Sequence, residues 1–394
     1  MKNSHPAHSR IEEMDALRGI ALLGILLVNL FVFHAPLAYF SEFYGEFEGV
    51  QEMVVALVAN FAGGKFLFIF AFLFGYGIVL QEHAHPNSFA PFFTKRMLML
   101  LVFGVLHILL FWFGDILTSY AFLGLLLIPF RKLSNRNILI LGSGFLLFRP
   151  LYYSGVEVFN WPMVNMERPF ELNDFIGIYQ DGNYVEIFKV RMSEFLSFMP
   201  ENLVWYLPKT FGLFFIGMYA ARKSFFALLR KNSPAYLTIS IGLIFGSIAW
   251  NLYKADFFSR FDLEAAPHWR PVLIGINVFF ETCLGIGYII AFSLAFQKSK
   301  LLCKILARTG RLALTNYFIQ SFVCVILFYG YGLGYYAKLV PSDLVLIAVL
   351  LFSFNVIFSY FYLAYKQIGP LEYVWRKGMS SKERSTNKGF TRES

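Results

Sequence analysis

The sequence predicts an all-α, polytopic membrane protein: a transmembrane helical bundle of about ten spans with both termini cytoplasmic. Three observations lead there. Hydrophobic residues fill 57% of the 394 positions and charged residues only 15%, against about 25% in soluble domains. Apolar runs of about 20 residues, the length of a membrane helix, recur along the whole chain. Lysine and arginine gather in alternate loops between those runs. The dyad alternation of a membrane β-barrel, in segments of about ten residues, does not occur.

Taken in order, the apolar runs place spans at 16–36, 62–82, 95–113, 115–131, 136–151, 204–221, 235–252, 271–296, 311–331 and 342–366. Counting Lys and Arg in successive alternate loops gives 2, 2, 3, 4, 5 and 7, the last in the C-terminal stretch. The intervening loops hold 0, 0, 3, 3 and 1. Basic residues stay on the cytoplasmic side, so both termini are expected there, which requires an even number of spans. The same pattern accounts for the net charge of +9 and argues against nucleic acid as a partner. A cell membrane, with both termini on its cytoplasmic face, is the expected location.

Residues 1–376 read as one transmembrane domain with an extracytoplasmic loop at 151–203. Within that loop, 186–198 suits a helix lying on the membrane. Residues 377–394 read as a polar, disordered cytoplasmic tail. Cys283, Cys303 and Cys324 form no CxxC and no Cys/His cluster, so neither a disulfide framework nor a metal site is expected. No cleavage site of the A-x-A kind follows the first span.

The first span begins "MDALRGIALLGILLVN". Asp15 and Arg18 are one turn apart. Asn29 lies fourteen residues past Asp15, a rotation of about 1400°, which leaves the two within about 40° of each other. The three therefore form one stripe about 21 Å long, and charges in a span face the bundle interior or a wet cavity. In the third span Arg96 and His107 share a face, eleven residues and about 16 Å apart. Asp115 follows at the outer mouth in "HILLFWFGDIL", and Lys65 opens the core of the second span. In the ninth span Arg311 stands at the entrance, with Asn316, Gln320 and Cys324 as a ladder above it.

Two levels follow. Asp15, Arg18, Arg96, Arg311 and Asn316 lie toward the cytoplasm, and their guanidinium groups suit phosphates or carboxylates. Asn29, His34, Lys65, His107 and Asp115 lie toward the middle and outer half, where histidine and carboxylate are acid/base types. Each has a packing alternative. Asp15 and Arg18 can pair with each other, Asn29, Asn316 and Gln320 can be interhelical glue, and Lys65 can snorkel outward. No GxxxxGK[ST] loop, G-x-S-x-G elbow or HExxH motif is present.

The segments "DALRGIALLGILLVN" at 15–29, "KFLFIFAFLFGYG" at 65–77, "HILLFWFGDIL" at 107–117, "GRLALTNYFIQS" at 310–321 and "GPLEYVWR" at 369–376 together resemble the YeiB family of bacterial membrane proteins. That family is a branch of the transmembrane acyltransferase superfamily, which includes the heparan-α-glucosaminide N-acetyltransferase. The resemblance implies a bundle in which acyl-CoA or acetyl-CoA enters from the cytoplasm as co-substrate and an acyl group passes to an acceptor at or beyond the midplane. The cytoplasmic arginines would then hold the CoA phosphates. Lys65 and Gln320 would face the acceptor, a small molecule, lipid or glycan. In the lysosomal relatives an Asn in the first span and a His shortly after it serve the chemistry. Asn29 stands at the first of these positions. His34 stands near the second, closer to the Asn than the relatives' His, and His107 is the substitute on helix geometry. Asp115 would orient the base and Asn29 would donate to the oxyanion. Two other functions fit the same residues. One is a transporter of a small anionic or proton-coupled solute. The other is a non-catalytic membrane protein that binds lipid or a partner. A homo-oligomer is compatible with each of these readings.

Overall fold

The computed structural model describes residues 12–164, 166–261 and 268–379. Among these residues every regular element is helical, and the molecule is a multi-pass membrane bundle. Seven helical rods are long and apolar enough to cross a bilayer, and two bent pairs raise the number to nine.

The chain starts with α1 (Glu12–His34), the most buried rod of the bundle. A turn of 3₁₀ helix and the short α2 (Phe40–Gly45) and α3 (Val50–Leu57) lead through a π-helical turn into α4 (Lys65–Ala84). The chain then returns in α5 (Phe89–Leu110). Next is α6 (Leu117–Leu127), where a fourth full span was expected. It has eleven residues and a 3₁₀ extension to Lys132, which together reach about 26 Å. That is short for a bilayer core of about 30 Å. The fifth expected span is a pair, α7 (Asn135–Leu146) and α8 (Phe148–Phe159), bent by 54°.

Two further helices follow, α9 (Leu172–Asp181) and α10 (Tyr184–Glu201). A π-helical turn joins α10 to α11 (Leu207–Arg222), where Pro200 has removed a backbone donor. Next come α12 (Phe225–Lys231), α13 (Ser233–Ser259) and α14 (Trp269–Lys298). The basic stretch expected as a loop before the ninth span is helical, α15 (Lys300–Arg311), bent 73° from α16 (Ala313–Phe328), which is the ninth span itself. The last are α17 (Pro341–Tyr365) and α18 (Pro370–Met379). Of the tail expected at 377–394, residues 377–379 form the end of α18; the rest lies outside the described residues.

Ion pairs mark two ends of the bundle. At one end Arg131 meets Glu82 (3.1 Å) and Arg230 meets Glu13 (2.9 Å). Arg222 there donates to the Leu133 carbonyl (2.6 Å). At the other end Arg270 meets Glu157 (2.9 Å), and Lys254 donates to Asn60 (2.7 Å). The helices alternate between these ends, and both α1 and α18 have their charged termini at the first. Between the ends, α17 exposes Leu346, Val349, Leu350, Phe354, Ile357 and Phe361 on one helical stripe. A stripe of that kind is what hydrocarbon chains solvate.

One contact fixes the layout around the site. A Cβ on Gly310 would lie 1.8 Å from the Asp15 carbonyl oxygen, and a Cβ on Gly19 would lie 2.1 Å from the Leu306 carbonyl oxygen. Only hydrogen side chains let α1 and α15 touch backbone to backbone, as small residues do in membrane helix pairs.

The segment expected as a helix on the membrane forms α10, one face of which is buried against the bundle. Arg191 of α10 is fully buried and donates to the carbonyls of Leu109 (2.7 Å) and Phe111 at the C-terminal end of α5. Those carbonyls have no helical partner of their own, and the cation also meets the negative end of the helix dipole. Glu194, one turn on, accepts the Tyr179 hydroxyl.

Candidate functional site

A cavity of ≈ 260 Å³ opens at the end that carries the chain's basic loops. Its walls come from α1, α4, α5, the start of α6, the α15–α16 elbow and α18. Asp15, Arg18, Leu22 and Ile25 line it from α1, and the spacing of 3, 4 and 3 residues is one helical face. Four arginines, Arg18, Arg96, Arg311 and Arg376, and two carboxylates, Asp15 and Glu372, are in its lining. The deeper walls include Leu100, Ile116, Leu117, Tyr120, Leu314 and Tyr317. The site is a cationic mouth over an apolar, aromatic interior.

Each mouth group has a defined setting. Arg18 pairs with Asp15 at 2.8 Å, with the arginine side chain 30% exposed. The Arg96 guanidinium lies over the Trp375 ring, 4.3 Å from its centroid, and Trp375 donates from Nε1 to the Arg96 carbonyl (3.2 Å). Arg311 donates to the Gln367 carbonyl (2.9 Å). Glu372 accepts from the backbone N–H (3.1 Å) and the hydroxyl (2.6 Å) of Thr315, which caps the first turn of α16. Helix α18 is therefore pinned across the mouth at two points, and it brings Trp375 and Arg376 to the cavity. Sequence reasoning missed both because they follow the last apolar span.

Behind the cavity floor, His107, Asp115 and Ser321 are in line. The Tyr317 ring, part of the floor, stacks on the His107 imidazole with centroids 4.7 Å apart. His107 Nε2 is 2.8 Å from the Ser321 hydroxyl oxygen, and Nδ1 is 3.4 Å from Asp115 Oδ1. The second distance is an ion-pair separation just beyond ordinary hydrogen-bonding range. The other Asp115 oxygen accepts the Thr118 N–H (2.7 Å) and so caps the first turn of α6. Gly104 makes room for this loop: a Cβ there would lie 2.6 Å from the Thr118 nitrogen and 2.7 Å from Asp115 Oδ2.

The other sequence candidates fall elsewhere. His34 is fully buried at the opposite end of α1. Its Nε2 accepts the Leu339 N–H (3.0 Å), so Nδ1 carries the proton, directed at the Tyr44 oxygen (3.1 Å). Tyr44 in turn donates to the Phe31 carbonyl (2.8 Å). Both ring nitrogens are used, and His34 is a cross-link between the first helix and the 329–340 loop. Asn316 does not line the cavity. It donates to the Thr309 carbonyl (3.0 Å) and accompanies Ser359 (2.9 Å), a glue role. Gln320 is buried, and its amide nitrogen has no hydrogen-bond partner among the described residues. Asn29 is half-buried on α1, one turn beyond Ile25 of the cavity wall.

Lys65 belongs to a separate cluster toward the other end. Lys209 meets Glu281 at 2.8 Å, Asn277 donates to the same carboxylate (3.0 Å), and Lys254 bonds Asn60 and Asn251 (2.7 and 3.0 Å). Lys65 interacts electrostatically with Glu281, Lys209 and Lys254, so three lysines share one nearby carboxylate. No group of three or more His, Cys, Asp or Glu side chains among the described residues is arranged to hold a metal ion.

Comparison with known proteins divides along the same lines as the site. A family model described as the catalytic part of heparan-alpha-glucosaminide N-acetyltransferase matches residues 10–179. These contain α1, α4, α5 and α6, and with them Asp15, Arg96, His107 and Asp115. A second, described as a protein of unknown function (DUF418), matches residues 220–382 and contains Arg311, Ser321 and α18. The chain is 30% identical over 392 residues to the uncharacterized protein YxaH of Bacillus subtilis, covering 94% of each. It is 27% identical over 387 residues to the uncharacterized protein YeiB of Escherichia coli, covering 92% of this chain and 94% of the relative. It is also 27% identical over 373 residues to an uncharacterized 39.9 kDa protein of Bacillus acidopullulyticus, covering 93% of each. No solved structure matches the chain significantly. With a full-length relative at this identity and both halves matched by family models, the chain belongs to the YeiB family, membrane proteins whose first half has an acyltransferase-like domain.

Proposed function

We propose that this protein is a membrane-embedded acyltransferase that takes an acyl group from cytoplasmic acyl-CoA or acetyl-CoA and gives it to an acceptor at the midplane or the outer side. The observation that carries the reading is the shape of the cavity: arginines at its mouth, apolar walls, and a floor that stacks directly on His107. A volume of ≈ 260 Å³ lies just under the usual range of ligand pockets, roughly 300–1,000 Å³. It suits the acyl end and thiol arm of CoA, with the nucleotide left outside at the guanidinium groups. Phosphates are well matched there by planar, bidentate donors.

The chemistry follows from the positions. Arg96 and His107 are about 16 Å apart along α5, a distance an extended pantetheine arm spans. At its end the thioester would meet His107, with Asp115 holding the imidazole so that Nε2 can take a proton. Asn29, above the cavity wall on α1, would donate to the oxyanion that forms on the carbonyl. The surplus positive charge at Lys65, Lys209 and Lys254 favours an anionic acceptor, such as a lipid or glycan bearing a phosphate or carboxylate. The membrane on this reading is the bacterial cytoplasmic membrane, which faces the acyl-CoA pool.

The test is thermal unfolding of the detergent-purified protein with acetyl-CoA and with long-chain acyl-CoA. A ligand that binds only the folded state stabilises it by about 2.7 kcal/mol at a hundredfold excess over its Kd. The expected result is a rise in melting temperature that Arg18→Ala and Arg311→Ala abolish. No rise with either thioester at high concentration would refute the acyl-CoA reading. The lysine cluster favours one rival, transport of an anion between the two cationic ends. Uptake of an anionic solute by proteoliposomes, without any acyl-CoA shift, would establish that rival instead.

A further inference from the structure

We propose that Ser321 is a covalent acyl carrier: His107 activates its hydroxyl, and the acyl group rests there as an ester between the donor thioester and the final acceptor. The inference rests on the acyltransferase reading for the identity of the donor, but the nucleophile itself stands on geometry.

Ser321, His107 and Asp115 come from α16, α5 and the loop before α6. They meet in the order hydroxyl, imidazole, carboxylate, at 2.8 and 3.4 Å. That order, with the carboxylate at Nδ1 and the hydroxyl at Nε2, is how imidazole activates serine on unrelated folds. The Ser321 hydroxyl donates to the Tyr317 carbonyl at 3.1 Å and lies 2.8 Å from His107 Nε2; a turn of the hydroxyl toward the ring would make that nitrogen the base. His107 is fully buried and Ser321 is 2% exposed. No external acceptor can reach Nε2 without displacing Ser321, so the hydroxyl that His107 serves first is one of the chain's own.

Tyr317 makes the arrangement usable. Its ring is the partition: one side lines the cavity and the other stacks on His107. A swing of this side chain would open Ser321 to a thioester in the cavity. The two-step route also solves a spatial problem. The arginine mouth and the lysine cluster are at opposite ends, and an ester on Ser321 lets donor and acceptor visit the site in turn. In the first step Ser321 Oγ attacks the thioester carbonyl, its proton passes to Nε2, the C–S bond breaks, and that proton leaves on sulfur as CoA thiol. In the second, an acceptor hydroxyl or amine attacks the seryl ester. It yields its proton through Nε2 to Ser321 Oγ and leaves with the acyl group.

The experiment treats the full-length protein in detergent with a fluorophosphonate, which modifies activated serines whatever their natural substrate. The adduct is mapped by peptide mass spectrometry. Ser321 is expected to be modified, faster in Tyr317→Ala where the partition is gone. His107→Gln and Asp115→Asn, checked for unchanged melting, should slow it, the first by about 100-fold. Failure to modify Ser321 even in Tyr317→Ala, or modification at a rate indifferent to His107, overturns the proposal. In parallel, radiolabelled acetyl-CoA should leave a base-labile ester on Ser321 that Ser321→Ala lacks. A Ser321 adduct without any acyl-CoA thermal shift would keep the nucleophile and remove the CoA donor. A thermal shift with turnover but no adduct would remove the acyl carrier and keep the acyltransferase.

Discussion

Replacing Gly310 by alanine drives a methyl group to 1.8 Å from the Asp15 carbonyl oxygen and 2.8 Å from the Gly19 nitrogen. An ordinary contact begins at 3.4 Å, so α1 and α15 must separate by about 1.6 Å along that line. The obstacle is helix backbone, with no side-chain rotamer to give way. Overpacking in a close-packed interior costs about 1–3 kcal/mol, and this case belongs at the upper end. At about 2.1 cal/mol/K per residue of unfolding entropy, 3 kcal/mol lowers the melting temperature by about 4 °C in a chain of this length. The separation also moves Asp15 away from the elbow that carries Arg311, which widens the mouth. Thermal unfolding in detergent should show the loss, and any acyl-CoA shift should shrink with it. An alanine variant that melts like the wild type would refute the backbone contact and the mouth geometry built on it.

Gly104→Ala should push Asp115 and the start of α6 away from α5; turnover should fall while ligand-induced stabilisation, measured by the same melts, persists. Trp375→Ala removes a cation–π contact worth about 0.5–2 kcal/mol and an indole hydrogen bond. Transient release of α18 should increase roughly 5- to 30-fold, and exposed Lys366 should be cut correspondingly faster by trypsin. Glu281→Gln should lower the melting temperature more than Lys65→Met, because it leaves three lysines facing each other while the second relieves repulsion. The reverse order would show that Lys65, not the Lys209–Glu281 pair, holds the cluster together.

The bundle was legible because a bilayer imposes its thickness and its charge asymmetry on any sequence that crosses it. What was not legible was how each crossing is made. The 73° elbow between α15 and α16 divides what reads as one basic-then-apolar run, and α6 is too short to be told from a full span by composition. Asp15, Arg18, Arg96 and Arg311 stood out because charge inside an apolar stripe is expensive, and the structure collects all four at one cavity. The same signal marked His34 and Asn316, which spend their polarity on joining helices. A polar residue in a span announces that it has a partner, and only the fold says whether that partner is a neighbour or a ligand. Ser321 gave no signal: serine costs little in a helix, and His107 is 214 positions away. Arg191 lay in a stretch that reads as a helix on the membrane surface, where an arginine is unremarkable until α10 is folded onto the end of α5.

The docking of α18 on the arginine mouth has a consequence for biosynthesis. The first helix and the residues after 366 build the same opening, so an emerging chain inserts its whole bundle before that opening has all its walls. A polypeptide interrupted at the end of α17 would be a nearly complete membrane protein that holds His107, Asp115 and Ser321 but lacks Glu372, Trp375 and Arg376 at the mouth. Quality control that monitors insertion alone would pass it. The assembly of the bundle thus precedes the assembly of the entrance, and the cationic mouth is the last part of the molecule to be completed.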